Sequence, residues 1–242
     1  MKLQKLLSYT RKAIADFDMI QDGDVIAVGI SGGKDSLSLL YALSYLRNFY
    51  PKSFTLKAVT VDLGMKEMNF SKVVELCQTL DVEYHIIETE IFDIVFNHRK
   101  EKNPCSLCAK MRKGALNDAI KELGCNKIAY AHHKDDLIET MLMSLLFEGR
   151  WHTFSPITHL ERSDLTLIRP LLYINESDII GFRNKMQLPV VPSACPMDGH
   201  SKREYAKNLV KQLNREHPGS KERMFRAILN GKMEDWPFRN VY

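Results

Sequence analysis

Val25-Ile26-Ala27-Val28-Gly29-Ile30 runs directly into Ser31-Gly32-Gly33-Lys34-Asp35-Ser36, and a leucine-spaced stretch (Leu37, Leu40, Leu43, Leu46) follows before Pro51. A continuous apolar run bounded by turn signals reads as a buried parallel strand, and the 3.6-residue spacing after it reads as a helix. Between them, two glycines let the backbone turn sharply and present several N–H groups beside the positive end of the helix, a cradle for phosphate. The loop is not a Walker A sequence, which needs Gly where Val28 stands and Ser or Thr where Asp35 stands, and it is not Gly-x-Gly-x-x-Gly.

Working outward, helical patterns cover Lys2 to Asp18, Ser71 to Leu80, Ser106 to Leu123, Asp135 to Phe147 and Glu176 to Met186. Apolar runs at Leu56 to Val61, Val82 to Ile87, Lys127 to Ala131 and Leu165 to Arg169 read as strands. This alternation predicts an α/β fold: a doubly wound, mostly parallel sheet with an N-terminal helix. From Ser201 only helical signals remain (Arg203 to Glu216, Ser220 to Leu229), so we expect a nucleotide domain over 1–198 and a basic helical C-terminal extension over 199–242.

The chain has 242 residues, 45% of them hydrophobic and 26% charged, which excludes a disordered chain and a disulfide miniprotein. No apolar run reaches the about 18 residues of a membrane span, and the polar start Met1-Lys2-Leu3-Gln4-Lys5 points to a cytoplasmic protein. Net charge is only +4, yet Arg99 to Lys113 and Ser201 to Arg226 carry +5 each, leaving the remainder acidic. Two basic windows of this kind form a footprint for a polyanion, or two solvated helix faces.

Two further constellations carry chemistry. Ala131-His132-His133-Lys134-Asp135-Asp136 closes the fourth strand and opens a helix, so it shares the carboxyl edge of the sheet with the phosphate loop. Its carboxylates suit Mg²⁺ or acid–base work, or Asp135 caps the helix. Asp62, ending Thr60-Val61-Asp62, is a weaker nucleotide-site candidate on the same topology. Cys105-Ser106-Leu107-Cys108, with Arg112 and Lys113 behind it and Cys195 far downstream, brings thiolates to one metal or cluster. Zinc would need a fourth ligand such as Cys125 or His200, and a redox pair would leave the third cysteine unexplained. Cys77 and Cys125 lie in apolar settings and read as core.

Ser31-Gly-Gly-Lys-Asp-Ser36 in this context resembles the PP-loop of the N-type ATP pyrophosphatases. Taken with Pro104-Cys105-x-x-Cys108-x-x-x-Arg112, His132-His133-x-Asp135-Asp136, Ile168-Arg169-Pro170-Leu171 and the late cysteine, the chain resembles the tRNA 2-thiocytidine synthetase family of ATP-dependent tRNA thiolases. It carries Cys195-Pro-Met-Asp-Gly-His200 where some members have a second C-x-x-C. The resemblance implies an adenine nucleotide alpha-hydrolase-like fold, ATP and Mg²⁺, and a 4Fe-4S cluster on Cys105, Cys108 and Cys195. It assigns ATP to Ser31, Gly32, Gly33, Lys34, Asp35, Ser36, Asp62, His132, His133 and Asp135, and catalysis to the three cysteines with Arg112 and Asp136.

The implied reaction adenylates a base carbonyl, expected to be a cytidine C2 oxygen in the anticodon loop, and then replaces it with sulfur. Iron-bound sulfide and a cysteine persulfide both stay open as the attacking sulfur, with free sulfide or a cysteine desulfurase as the donor. The implied partners are tRNA and a second copy of the chain. A lysidine synthetase-like ligase would leave Cys105, Cys108 and Cys195 idle; a sulfurtransferase for a small molecule, or a nucleotide sensor with structural zinc, would make the basic windows incidental. Trp151, after the apolar helix, offers a ring for base stacking. Reversing Lys202 and Arg203 to Glu is expected to weaken tRNA binding and spare ATP binding, as a filter assay would read.

Overall fold

A computed structural model describes residues 1–65, 68–99, 104–192, 195, 202–231 and 236. The elements run α1 (Leu3–Asp16), β1 (Asp24–Gly29), α2 (Lys34–Leu46), β2 (Phe54–Asp62), α3 (Ser71–Thr79) and β3 (Glu83–Glu88). A short α4 (Ile91–Asp93) continues as a π-turn over Ile94–His98, followed by α5 (Pro104–Glu122), β4 (Lys127–Ala129), α6 (Lys134–Glu148), β5 (Ile157–Leu160), β6 (Leu165–Ile168), α7 (Glu176–Met186), α8 (Lys202–Glu216) and α9 (Ser220–Asn230).

The six strands lie in the order β3-β2-β1-β4-β6-β5, every pair parallel except β5 with β6. The sheet is therefore the mostly parallel, doubly wound one expected. β1 reads as continuously apolar because it is central and covered on both faces: Ile26, Ala27 and Val28 are all fully buried. One face packs the large core, which includes Leu6 of α1, Leu40 of α2, Val73 of α3, Ile138 of α6 and Phe182 of α7. The other face holds a smaller cluster in which Ala27, Val59, Ile128 and Leu167 meet Ile120 and Leu116 of α5.

α5 thus crosses the sheet on the face opposite the other long helices, with its N-terminus at the carboxyl edge of the strands. Two elements have no counterpart in the sequence reading. β5 is only four residues long, and its Ile157-Thr158-His159-Leu160 pairs antiparallel at the sheet edge. The turn over Ile91–His98 is too short for a periodic signal. Val210, Phe225 and Ile228 of α8 and α9 sit in the same large core as the sheet.

At the amino edge, Lys127 of β4 and Asp24 of β1 form a buried ion pair at 2.7 Å. Lys127 also donates to the Met19 carbonyl (2.9 Å), and Asp24 accepts from Asn126 (2.8 Å) and from the Gln21 N–H (2.6 Å). Breaking one side leaves a buried charge uncompensated. Asp24→Ala is expected to cost about 3–5 kcal/mol, read as a shifted urea midpoint, whereas the same change at Asp118, exposed on α5, is expected to stay within about 0.5 kcal/mol.

Candidate nucleotide and sulfur-transfer site

A cavity of about 500 Å³ opens between the carboxyl ends of β1 and β4. Its walls are Gly29, Ile30, Ser31, Asp35 and Ser36 from the loop, Val59 and Val61 from β2, Tyr130, Ala131, His132 and Asp136 from the second constellation, and Ala109, Arg112, Lys113 and Leu116 from α5. Four segments of the chain thus share one crevice.

The loop is tied by its own side chains. Ser36 Oγ donates to the Gly33 carbonyl (3.0 Å) and accepts from the Ser31 N–H (3.3 Å), and Gly33 N–H donates to Ser31 Oγ (3.3 Å). Gly32 has φ +80°, and a Cβ there would lie 2.9 Å from Cβ of Val191, so no other residue fits. Lys34 reaches both Asp35 (3.0 Å) and Glu176 of α7 (3.2 Å). Burial would lower its pKa, but these two carboxylates outweigh it and raise it. The other Asp35 oxygen, Oδ1, is buried without a hydrogen bond, 3.7 Å from His133 Nε2.

The four polar residues after Ala131 divide their work. His133 is the cap of α6: its Nδ1 accepts from Asp136 N–H (3.4 Å), and its own N–H donates to Asp136 Oδ2 (2.9 Å). The cap is thus His133 rather than Asp135, because Asp135 faces the other way and accepts from Glu176 N–H (2.8 Å) and from Lys221 of α9. Asp136 presents its second oxygen to Arg203 of α8 at 3.0 Å. His132 lines the cavity. Asp62 is absent from the walls; its carboxylate accepts the Gly64 N–H (2.9 Å) in a local turn.

Four residues that pair with charges at the site, though they do not line the cavity itself, escaped the sequence reading: Glu176, Arg203, Lys207 and Lys221. Lys207 pairs with Glu176 at 2.8 Å, so α8 reaches the loop lysine through one carboxylate. Burial alone would raise the Glu176 pKa, but Lys207 and Lys34 overcome it and hold it at about 2. Nothing in the basic window distinguished these inward residues from Lys202, which lies over the Phe147 ring (4.9 Å). Trp151 is 46% exposed and abuts Gly231 at the end of α9.

Cys105 and Cys108 sit in the first turns of α5. The Cys108 thiol has its pKa raised, by burial first, with Arg112 opposing and Cys195 and Cys105 adding to it. Cys105, Cys195 and Arg112 are thus all near enough to act on the Cys108 thiol, and Arg112 also lines the cavity. Among the described residues, no three His, Cys, Asp or Glu side chains already form a closed metal site. Cys125 lies beyond the far end of the 19-residue α5, about 28 Å from its start, and is buried. His200 and Lys100 to Lys102 of the first basic window fall outside the described residues.

A model of the PP-loop domain family matches residues 4–212. The tRNA-cytidine(32) 2-sulfurtransferase of Geobacter sulfurreducens is 36% identical over 232 residues, covering 95% of this chain and 90% of that protein. Its namesake from Pelobacter propionicus is 39% identical over 222 residues, covering 90% and 82%. The chain belongs to the tRNA 2-thiocytidine synthetase family of PP-loop enzymes. Among solved structures, it is similar to the U34-tRNA thiolase NcsA from Methanococcus maripaludis with its 4Fe-4S cluster. That match has a TM-score of 0.73 and 26% identity, covering 93% of this chain and 77% of that one. The matched span includes the Ser31–Ser36 segment. No helix among the described residues is long and apolar enough to cross a membrane.

Because Arg203 holds Asp136, the double reversal of Lys202 and Arg203 cannot separate tRNA binding from ATP binding. Arg203→Glu adds a carboxylate beside Asp136 and Glu139, and is expected to weaken ATP binding by at least about tenfold by calorimetry, with Lys202→Glu unchanged. Glu139 is buried, and burial first, then the Asp136 charge, raises its pKa to about 7. A carboxyl with a raised folded pKa supports the fold fully below its unfolded value near 4.5 and loses that support as pH rises through 7. Glu139→Gln is therefore expected to flatten the fall in urea midpoint between pH 5 and pH 8.

Proposed function

We propose that this enzyme replaces the C2 oxygen of an anticodon-loop cytidine in tRNA with sulfur, after activating that oxygen with ATP. The observation that carries this reading is the single crevice lined by the Ser31–Ser36 loop, Asp136 and Arg112, with Arg112 near enough to act on the Cys108 thiol. The named activity of the relatives supports cytidine as the base.

In the first step the base oxygen attacks the α-phosphorus of ATP. An O–P bond forms, the bond to the β-phosphate oxygen breaks, and pyrophosphate leaves. The N–H groups of Gly32, Lys34 and Asp35 at the start of α2, with the Lys34 ammonium, receive the charge on the departing pyrophosphate. Lys34 is already oriented by Asp35 and Glu176, so little reorganisation is needed. Val59 and Val61 offer an apolar wall for a purine.

Asp35 and Asp136 would hold Mg²⁺: the unpartnered, buried Asp35 Oδ1 fits a hard cation's oxygen ligand. In the second step sulfur attacks C2, the C2–O bond breaks, and AMP departs with the oxygen. Arg112 is placed to neutralise the phosphate of that leaving group. Cys105, Cys108 and Cys195 are a soft thiolate donor set that fits a 4Fe-4S cluster with one iron left open, which when bound would present the sulfur. Free sulfide would supply it directly, and a desulfurase-borne persulfide would supply it with two electrons from an external thiol, which leaves as a disulfide.

The remaining surface cations, Lys110 with Lys211 and Arg215, are exposed and would track tRNA phosphates. The test is anaerobic reconstitution with iron and sulfide, then reaction with unmodified tRNA and ATP·Mg²⁺, with nucleosides identified by mass spectrometry. Cys105→Ala, Cys108→Ala and Cys195→Ala are each expected to abolish 2-thiocytidine while keeping tRNA-dependent pyrophosphate release within about threefold of wild type, since the adenylation step uses none of the three thiols. Thiolation that survives all three changes would overturn the cluster assignment; absence of pyrophosphate release from the wild type would overturn the adenylation step.

A further inference from the structure

Arg169, at the end of β6, is a buried guanidinium with no ion pair among the described residues. Its partners are neutral: the Ser155 carbonyl, Thr158 Oγ1 (3.0 Å), His132 Nδ1 (3.3 Å) and the Phe154 ring, whose centroid is 4.9 Å from Cζ. A guanidinium N–H can only donate, so His132 Nδ1 carries the lone pair and the ring proton sits on Nε2. The ring is held between Phe154 (centroids 4.6 Å) and Tyr130 (5.9 Å), and it lines the nucleotide crevice. Nε2 has no hydrogen-bond partner among the described residues, so its N–H is the group His132 offers to whatever occupies the crevice.

We propose that His132 is a fixed, neutral Nε2–H donor to an oxygen on the phosphorus being transferred, and that Arg169 is the positioning residue that sets its tautomer. A donor whose partner on the far side of the ring is a buried cation cannot turn over or pick up a second proton when a polyanion arrives, so it costs no reorganisation during transfer. The charges facing the ring agree. Burial first, then Arg169, bring the His132 pKa down to about 4, with Arg203 and His133 in the same sense and Asp136 opposing. Burial also pushes the Tyr130 phenol up, leaving it neutral. The functional half of the proposal rests on the adenylation step above; the tautomer half does not.

The test has two arms. In ¹⁵N-histidine-labelled enzyme without nucleotide, with His132→Gln assigning the signal, His132 is expected to show Nδ1 unprotonated and Nε2 protonated from pH 5 to pH 8. In Arg169→Met it becomes a mixture of the two tautomers, because nothing then holds Nδ1 unprotonated. An Nδ1–H form, or an ordinary titration in the wild type, overturns the assignment, and the wild-type spectrum decides this even if Arg169→Met fails to fold. In tRNA-dependent pyrophosphate release, His132→Phe is expected to lower kcat by on the order of 10²-fold, with the ATP KM within about twofold and partial rescue in His132→Gln. A loss confined to KM overturns the donor role. A wild type that releases no pyrophosphate overturns the adenylation reading instead, with the tautomer result standing apart from it.

Discussion

The pairing of β1 with β4 is the constraint on which the site depends. The chain builds β1, β2 and β3 outward in one direction, with α2 and α3 on one face. It then returns through α5 on the opposite face and lays β4 on the free side of β1. The helices that follow these two neighbouring parallel strands, α2 and α6, pack on one face while α5 returns on the other, and the crevice opens at the carboxyl edge where the three converge. The helix N-termini of α2 and α6 both arrive there, as do the first turns of α5. A phosphate loop, a carboxylate cluster and a pair of cysteines separated by tens of residues become neighbours because of one strand placement.

That convergence concentrates charge, and the C-terminal helices answer it. Asp135, Asp136 and Glu176 would repel one another and an incoming triphosphate if left alone. Each has a cation from α8 or α9: Lys221, Arg203 and Lys207 respectively. The pairing leaves Lys34 shared between Asp35 and Glu176, and so tethers the PP-loop to a helix more than 170 residues further along the chain. The loop lysine and α8 thus share one carboxylate, and α9 reaches the neighbouring Asp135. Arg169 stands apart from this network, since its charge is balanced by dipoles and a ring rather than by a carboxylate.

Much was legible in the sequence because the relevant signals are local. The apolar run at Val25 to Ile30, the two glycines and the leucine spacing after them specify a strand, a tight turn and a helix within about twenty residues, so the PP-loop and the parallel sheet could be read directly. The C-x-x-C at Cys105 and Cys108 and the acidic pair after His133 have spacings whose chemistry is set by helical geometry alone. β5 was missed because four residues show no period, and His133 was missed as a cap because histidine rarely serves there and only its partner Asp136 makes it one.

The sequence by itself determined the element order, the phosphate cradle and the types of residue available for chemistry, all of which follow from contacts spanning a few residues. Only the tertiary structure decided which of those residues face the crevice. Asp62 turned into its own loop, while Arg203, Lys207 and Lys221 turned inward from a window that reads as uniformly basic. The reason is physical: charge and periodicity are properties of a segment, whereas an ion pair between Asp136 and Arg203, or the tautomer imposed on His132 by Arg169, exists only where long-range packing brings two segments within about 3 Å.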